Sequence, residues 1–426
     1  MQESQNNLAA GIVFFLCLTV LGVWIVTFSR SQSATRNKVI SLFVTAILVR
    51  FLSSLLIYEF GFTSIIGDED SSGYFIGQFY GGTWIGYGYS LFDLPALWLP
   101  AFEEHHRGYY YLVGTLYFLT GWTGRLPPAA LNCFFGAMTV VMTYKIASSL
   151  FSEWTATRVG WLVCLIPSMI IWSCQTLKEP VVIFLETLAL YSCIRLRING
   201  FSVKYVLLSV FSIFLLYPFR FYASLVAAIA VFATIMMPEI GKRTKSSWIT
   251  GILLLIIVVP ISISTGMVAR TEAQIEEYDV KRVQQFRSDV AVGQGSGVIT
   301  QYNLSTPSGF TIATIVGALH LLLAPFPWQM GGSLRLVFTF PEMIFWWWLF
   351  FFGFIPGIRY VFKWRLFETL PLLIFIILLG FLYSVTFGNV GLVFRQRAQI
   401  LPLMAIFAIV GLELKQVLKL QRYPLR

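Results

Sequence analysis

Most of this chain is made of apolar segments near the length that crosses a bilayer, joined by short loops that hold its basic residues. About 20 apolar residues in a helix span the roughly 30 Å of hydrocarbon, where only helices and closed barrels satisfy every backbone N–H and C=O. The segments fall at about 8–28, 39–59, 127–149, 156–175, 180–196, 203–217, 220–237, 247–266, 340–358, 367–387 and 398–415, roughly eleven crossings. The expected fold class is therefore all-α and polytopic in the membrane. With 57% hydrophobic and only 12% charged residues, no separate soluble domain is left over.

The net charge of +10 belongs to this arrangement rather than to nucleic-acid binding, because the basic residues are scattered through short loops. Arg30, Arg36 and Lys38 follow the first segment, which puts that loop in the cytoplasm and the N-terminus outside. Carried along the chain, the alternation places 18 Lys and Arg on the cytoplasmic side and 11 outside, with Arg50 in mid-helix and a cytoplasmic C-terminus. The expected location is a plasma or inner membrane. The first segment has no small-residue cleavage site after it and reads as a retained helix. All five cysteines lie in apolar segments and read as small hydrophobes rather than as disulfides or metal ligands.

Two outer loops are long enough to carry structure, at about 60–126 and about 267–339. They divide the chain into a transmembrane module over 1–266 that includes the first loop, the second loop over 267–339, and a C-terminal transmembrane module over 340–426. Gly108 to Trp122 is apolar but short and reads as an interfacial helix, and Thr311 to Leu323 reads as a re-entrant or interfacial element before the Ala324-Pro325-Phe326-Pro327-Trp328 turn. Glu272 to Asp289 is helical in pattern and strongly charged, either a lid over a site or a solvated helix.

Just past the second segment stands Asp68-Glu69-Asp70-Ser71-Ser72-Gly73-Tyr74. Charges are expensive in hydrocarbon, so three carboxylates at a helix end mark a water-facing place. Asp and Ser there serve equally as caps and turn formers. As a functional site, one carboxylate acts as general base on an acceptor hydroxyl while a second orients it or binds a divalent cation. Asp70 leads because Tyr74 lies four residues on, one helical turn away.

At these residues the chain resembles the membrane glycosyltransferases of the GT-C fold, in particular the bacterial dolichyl-phosphate-mannose-mannosyltransferase-like group of glycosyltransferase family 39. The resemblance rests on Asp70-Ser71-x-x-Tyr74, the Tyr109 to Trp122 stretch, Leu131-Asn132, Gly136-Ala137-Met138-Thr139-Val140, Pro167, Ser173 and Lys178-Glu179, over roughly residues 40–200. It implies a polyprenyl-phosphate or pyrophosphate sugar donor, transfer at the outer face, and Asp70 as catalytic base with Asp68 as alternate. The family pattern pairs two adjacent acids where this chain has Asp68, Glu69 and Asp70, so the choice among the three stays open. A divalent cation, Mg²⁺ or Mn²⁺, would sit on Asp68 and Asp70.

A lipid phosphate leaving group needs positive charge at the outer interface. Arg395 and Arg397 stand before the last segment in Asn389-Val390-Gly391-Leu392-Val393-Phe394-Arg395-Gln396-Arg397, either as an anion site or as snorkelling anchors. Lys178-Glu179-Pro180 opens a helix on the same side, as phosphate ligand or as an ordinary cap with Pro in the first turn. Arg220, in Tyr217-Pro218-Phe219-Arg220, marks an outer turn between two helices. Glu103-Glu104-His105-His106-Arg107 would position an acceptor sugar or help hold Mg²⁺ or Mn²⁺ beside the acidic motif, or is simply a solvated loop. The three histidines have no zinc spacing, and no Walker loop, Gly-x-Gly-x-x-Gly unit or Gly-x-Ser-x-Gly elbow is present.

The reading these residues favour is an inverting membrane glycosyltransferase that takes a lipid-linked donor and a glycan, lipid or protein acceptor. A surface-polysaccharide polymerase or ligase is the alternative, and a lipid-linked-saccharide transporter a third. Transporters show internal repeats and midplane charges. Here the two halves show no evident repeat and the ionisable groups gather at helix ends, with Arg50 and Glu186 as exceptions, each compatible with a buried helix–helix contact.

Overall fold

The computed structural model describes residues 2–28, 33–63, 73–102, 107–237, 251–252, 256, 270–271, 279–292, 296–298, 302–332 and 339–422. They form helices joined by short turns, with no named strand among them. Five of these helices are long and apolar enough to cross a membrane: Asn7–Thr27, Thr35–Tyr58, Leu126–Leu150, Phe340–Trp364 and Leu366–Val385. Two bent pairs, Glu153–Leu165 with Pro167–Ser173 at 59° and Val390–Arg397 with Leu401–Leu414 at 67°, raise this to seven if each is one span. The protein is thus a multi-pass membrane protein. The expected helices at 203–217 and 220–237 appear as Val203–Phe219 and Phe221–Met236, of 17 and 16 residues. At 1.5 Å per residue each is about 25 Å long, shorter than the hydrocarbon layer. The expected helix at 247–266 lies almost wholly outside the described residues.

Leu126–Leu150 is the hub. It is apolar all round, which suits a helix packed on every side, and it meets Gln2–Thr27, Ser33–Tyr58, Glu153–Leu165 and Glu179–Asn199. Glu179–Asn199 then packs on Val203–Phe219 and Phe221–Met236, and the latter reaches Leu366–Val385. Pro307–Leu323 lies against Leu366–Val385, while Leu401–Arg422 packs on Phe340–Trp364 and Glu153–Leu165.

Arg50 shows how the core accommodates a charge. Pro167 breaks the helix that Glu153 starts, and the bend leaves the Cys164 carbonyl without its usual helical partner, the Ser168 N–H. That N–H donates instead to Glu342 Oε2 at 2.7 Å. Arg50, fully buried, donates to the Cys164 carbonyl at 3.3 Å and to Ser173 Oγ at 2.8 Å, tying both sides of the bend to Ser33–Tyr58. It is the buried helix–helix contact that its sequence position suggested. Glu342 is likewise buried, in the first turn of Phe340–Leu349.

Small residues let Leu401–Arg422 approach Phe340–Trp364 backbone to backbone where the latter widens into a π turn at Phe350–Phe354. A Cβ on Gly357 would stand 1.8 Å from the Phe407 carbonyl oxygen, and one on Gly411 1.9 Å from that of Gly353. Gly357→Val is therefore expected to cost about 1–3 kcal/mol or more through overpacking, seen as a lower melting temperature in detergent. Gly82→Ala, which meets open space, should leave that temperature unchanged or raise it. Equal melting of the Gly357→Val variant and the parent would contradict this packing.

Candidate functional site

At one end of the bundle, three breaks in helical structure bring charges together. Val203–Phe219 carries Pro218 in its last turn, and Arg220 follows in an extended conformation (φ −160°, ψ 87°) as the junction with Phe221–Met236. Glu179–Asn199 begins after Lys178, with Glu179 and Pro180 in its first turn. Pro gives up no hydrogen bond there, and a carboxylate is favoured at the positive end of the helix. Val390–Arg397 is started by Asn389, whose Oδ1 accepts from the Leu392 N–H at 2.9 Å.

These junctions converge on one carboxylate. Glu179 Oε1 lies 2.9 Å from Arg220 Nη2 and 3.3 Å from Arg395 Nε, with the Glu179 side chain 1% exposed against 5% for Arg220 and 13% for Arg395. Arg220 Nη1 donates to the Tyr383 hydroxyl at 2.8 Å. With the Gln399 amide oriented to satisfy its neighbours, its oxygen accepts from Arg220 and its nitrogen donates to Glu186 Oε1 at 2.8 Å. Two guanidiniums thus face one glutamate, with Lys178 beside it in the chain. Glu186 stands one amide away, and guanidiniums fixed in this way can hydrogen-bond phosphate as well as carboxylate.

A cavity of about 600 Å³ opens beside the cluster. Tyr383, which accepts from Arg220, and Tyr222, whose ring centre lies 5.8 Å from the Arg220 guanidinium, join the two; Arg282, Thr386 and Gln396 are the other polar residues of a mainly apolar wall, with Phe221, Phe286, Phe310 and Phe381 prominent. The size and mixture are those of a ligand site: apolar walls with a few polar groups. The charged segment of the second outer loop supplies part of this wall as the helix Val280–Ala291. Arg287 Nη1 donates to the Val385 carbonyl at 3.1 Å, and Asn389 Nδ2 donates to the Val290 carbonyl at 3.1 Å. The same Asn389 that starts the Arg395 helix therefore also holds the wall. Pro307–Leu323, expected as a re-entrant or interfacial element, is a 17-residue apolar helix that contributes Phe310.

Arg397 goes elsewhere. Successive residues turn by 100° around a helix, so residues 395 and 397 point about 200° apart. Arg397 is fully buried, donates to the Ala324 carbonyl at 2.8 Å and lies over the rings of Phe394 and Trp346 at 4.8 and 5.4 Å. It fastens the helix whose other face presents Arg395.

Asp68, Glu69 and Asp70 lie outside the described residues, as do Glu103, Glu104, His105 and His106. Their flanks are described. Tyr58, near the end of Ser33–Tyr58, accepts from the Thr176 N–H at 3.0 Å, three residues before Glu179. Arg125 lies over the rings of Tyr58 and Tyr74 at 5.6 and 5.0 Å, spanning both approaches to the acidic loop. Asn132 Nδ2 donates to the Gln175 and Leu177 carbonyls and to the Tyr109 hydroxyl at 2.5, 2.7 and 3.0 Å, fixing the turn that presents Lys178 and Glu179. On the other loop, Phe102 stacks on Phe214 at 4.7 Å, and Gly108 packs against the backbone of Pro218. Both acidic loops thus leave and rejoin the described structure near the turns that hold Glu179 and Arg220.

Of the residues singled out from the sequence, the structure brings Glu179, Arg220 and Arg395 together, with Lys178 next to Glu179 in the chain; Arg125, Tyr383 and Gln399 were not singled out. Tyr383 sits in an apolar run, where an aromatic residue signals an interface as readily as a site. Among the described residues, no group of three or more His, Cys, Asp or Glu could hold a metal ion; Asp68 and Asp70 are not among them.

The fold has solved counterparts. The archaeal oligosaccharyltransferase AglB from Archaeoglobus fulgidus, in complex with an inhibitory peptide and a dolichol-phosphate, aligns over 92% of this chain and 52% of its own, with a TM-score of 0.52 and 14% identity. The fold is of the GT-C type. A second structure of the A. fulgidus oligosaccharyltransferase, tethered to an acceptor peptide containing the NVT sequon, aligns over 90% of this chain and 50% of its own, with a TM-score of 0.50 and 14% identity. At that identity the likeness is one of GT-C fold alone, and the chain spans about half the length of the structures it matches. No family model matches the sequence, and no curated protein matches it.

Proposed function

We propose that this protein is an inverting glycosyltransferase that moves a sugar from a polyprenyl-phosphate-linked donor to an acceptor at the outer membrane face. One observation carries the reading: Arg220 and Arg395 are held on Glu179, and Tyr383, which accepts from Arg220, lines a mainly apolar cavity of about 600 Å³ within a GT-C fold. A lipid-linked donor has the matching parts, an isoprenoid for the apolar wall and a phosphate for the arginines. Charge on the departing phosphate grows in the transition state, and fixed guanidiniums in a site with little water stabilise it most there.

The general base in this reading is a carboxylate of the Asp68-Glu69-Asp70 run, with Asp70 first. Tyr58, before this loop, accepts from the Thr176 N–H in the turn that leads to Glu179, and Arg125 links Tyr58 to Tyr74 beyond the loop. If a divalent cation takes part, Asp68 and Asp70 are its proposed ligands, and it would add positive charge near the phosphate. The acceptor, a glycan, lipid or peptide, enters from the outer face. The dolichol-phosphate and peptide bound by the A. fulgidus enzyme favour a lipid-linked donor and an extracytoplasmic acceptor here as well.

The test is sugar transfer from short-chain polyprenyl-phosphate sugars by the purified protein in nanodiscs. Wild type should transfer from at least one donor, and Asp70→Asn should fall by about 10²–10⁴-fold, the usual worth of a general base, with donor binding kept. No turnover of any donor by wild type, or full activity in both Asp70→Asn and Asp68→Asn, would refute the proposal.

A further inference from the structure

Asn389 is a junction as well as a helix start. It is 2% exposed, with an extended backbone (φ −144°, ψ 129°), where the chain turns from Leu366–Val385 into Val390–Arg397. Its Oδ1 accepts from the Leu392 N–H at 2.9 Å and from Ser296 Oγ at 3.0 Å, while its Nδ2 donates to the Val290 carbonyl at 3.1 Å. The main chain on either side adds two bonds: the Val390 N–H donates to the Ser296 carbonyl and the Val298 N–H to the Gly388 carbonyl, both at 2.9 Å. Val290 lies in the last turn of Val280–Ala291, where carbonyls lack helical partners, so the amide supplies one. The approach is close. A Cβ on Gly388 would stand 2.4 Å from the Arg287 carbonyl oxygen of the same helix.

The residue type is informative. Asn, Asp and Ser start helices about equally well, since each offers an oxygen to the N–H groups of the first turn. Of the three, only Asn has an oxygen for the cap and a separate nitrogen to donate, and here that nitrogen reaches the Val290 carbonyl. One side chain thereby ties together two parts that meet different ends of a lipid-linked ligand. Val280, Val283 and Phe286 line the cavity from one face of their helix. Arg395 stands six residues beyond Asn389, about 9 Å along the helix that Asn389 starts. The residues lining the cavity do not include Asn389 itself, so it acts through both.

We propose that Asn389 is a positioning residue that couples the apolar wall to Arg395, so that a lipid tail seated against Val280–Ala291 steadies the arginine for the phosphate. Such coupling is reciprocal, and phosphate on Arg395 steadies the wall in turn. The ligand is that of the proposed function and rests on that reading, whereas the link between the two helices rests on the hydrogen bonds alone.

Hydrogen exchange of the full-length protein in nanodiscs of neutral lipid, read over residues 280–291 and 390–397, tests the link first without ligand. Asn389→Ser keeps an oxygen for the cap and loses the donor to Val290, so both segments should exchange about 2- to 10-fold faster than in the parent, the worth of one net hydrogen bond. Asn389→Asp, which turns a carboxylate oxygen towards the Val290 carbonyl, should do the same and serves if the serine variant does not purify. Faster exchange over 280–291 alone, or over neither, would overturn the coupling. A short-chain polyprenyl alcohol, which has no phosphate for Arg395, should slow exchange over 390–397 in the parent and leave it unchanged in Asn389→Ser. For the matching polyprenyl phosphate, the rise in Kd caused by Arg395→Gln should be about 2- to 10-fold smaller in the Asn389→Ser background than in the parent; additive effects would overturn the proposal. A parent that binds neither probe would refute the proposed function instead, and exchange without ligand then decides the link.

Discussion

Arg395→Ala should reduce sugar transfer by about 10²–10³-fold, the loss seen when one preorganised donor to a developing negative charge is removed, while the protein stays folded. Arg395 is the arginine of the pair with side-chain surface to spare, 13% exposed against 5% for Arg220. When it is removed, Glu179 keeps its 2.9 Å contact with Arg220, so no buried charge is stranded. The deficit should persist at saturating donor, because charge on the phosphate is greatest in the transition state. Arg395→Lys should recover only part of the rate, since an ammonium lacks the planar fork that binds phosphate and carboxylate together. Single-turnover rates measured beside melting temperatures check both claims. A variant that melts like the parent and transfers like it would remove Arg395 from the mechanism.

Glu179→Gln should be the most destabilising change at the site. Both guanidiniums lean on one carboxylate that is 1% exposed, and the substitution takes from both the charge they share. Breaking a buried ion pair from one side costs about 3–5 kcal/mol, against about 0–1 for an exposed pair such as Lys38–Glu153. The melting temperature should fall far more than in Glu153→Gln. Adding Arg220→Met to Glu179→Gln should restore part of the loss, because it removes one stranded charge. If the double variant melts below the single one, the cost lies in lost packing rather than in unpaired charge.

Ionisable residues in apolar surroundings are what made much of this site readable. Lys178, Glu179, Arg220 and Arg395 each stand at a helix junction marked by Pro or Asn, where a charge is conspicuous and the backbone turn presents it. The sequence could not separate Arg395 from Arg397. Two identical side chains two residues apart look alike until a short helix sends them to opposite faces, one to Glu179 and the other to the Ala324 carbonyl. Tyr383 and Gln399 were hidden for another reason: their role comes only from which charge they touch, and that depends on how Leu366–Val385 and the 67° bend pack against Arg220. The helices themselves were legible because hydrocarbon demands long apolar runs. Their bends were less so, since Pro167 signals a break without saying that Arg50 and Glu342 will take up the groups it frees.

The central claim is that the Arg220–Glu179–Arg395 cluster holds the phosphate of a lipid-linked donor. Equilibrium binding of a short-chain polyprenyl phosphate to wild type and to Arg395→Gln, in nanodiscs of neutral lipid, tests it most directly. A charge-assisted hydrogen bond is worth about 1.5–3 kcal/mol, so Kd should rise about 10- to 150-fold in the variant, while the matching polyprenyl alcohol binds both proteins equally. Equal affinity of the two proteins for the phosphate would contradict the account.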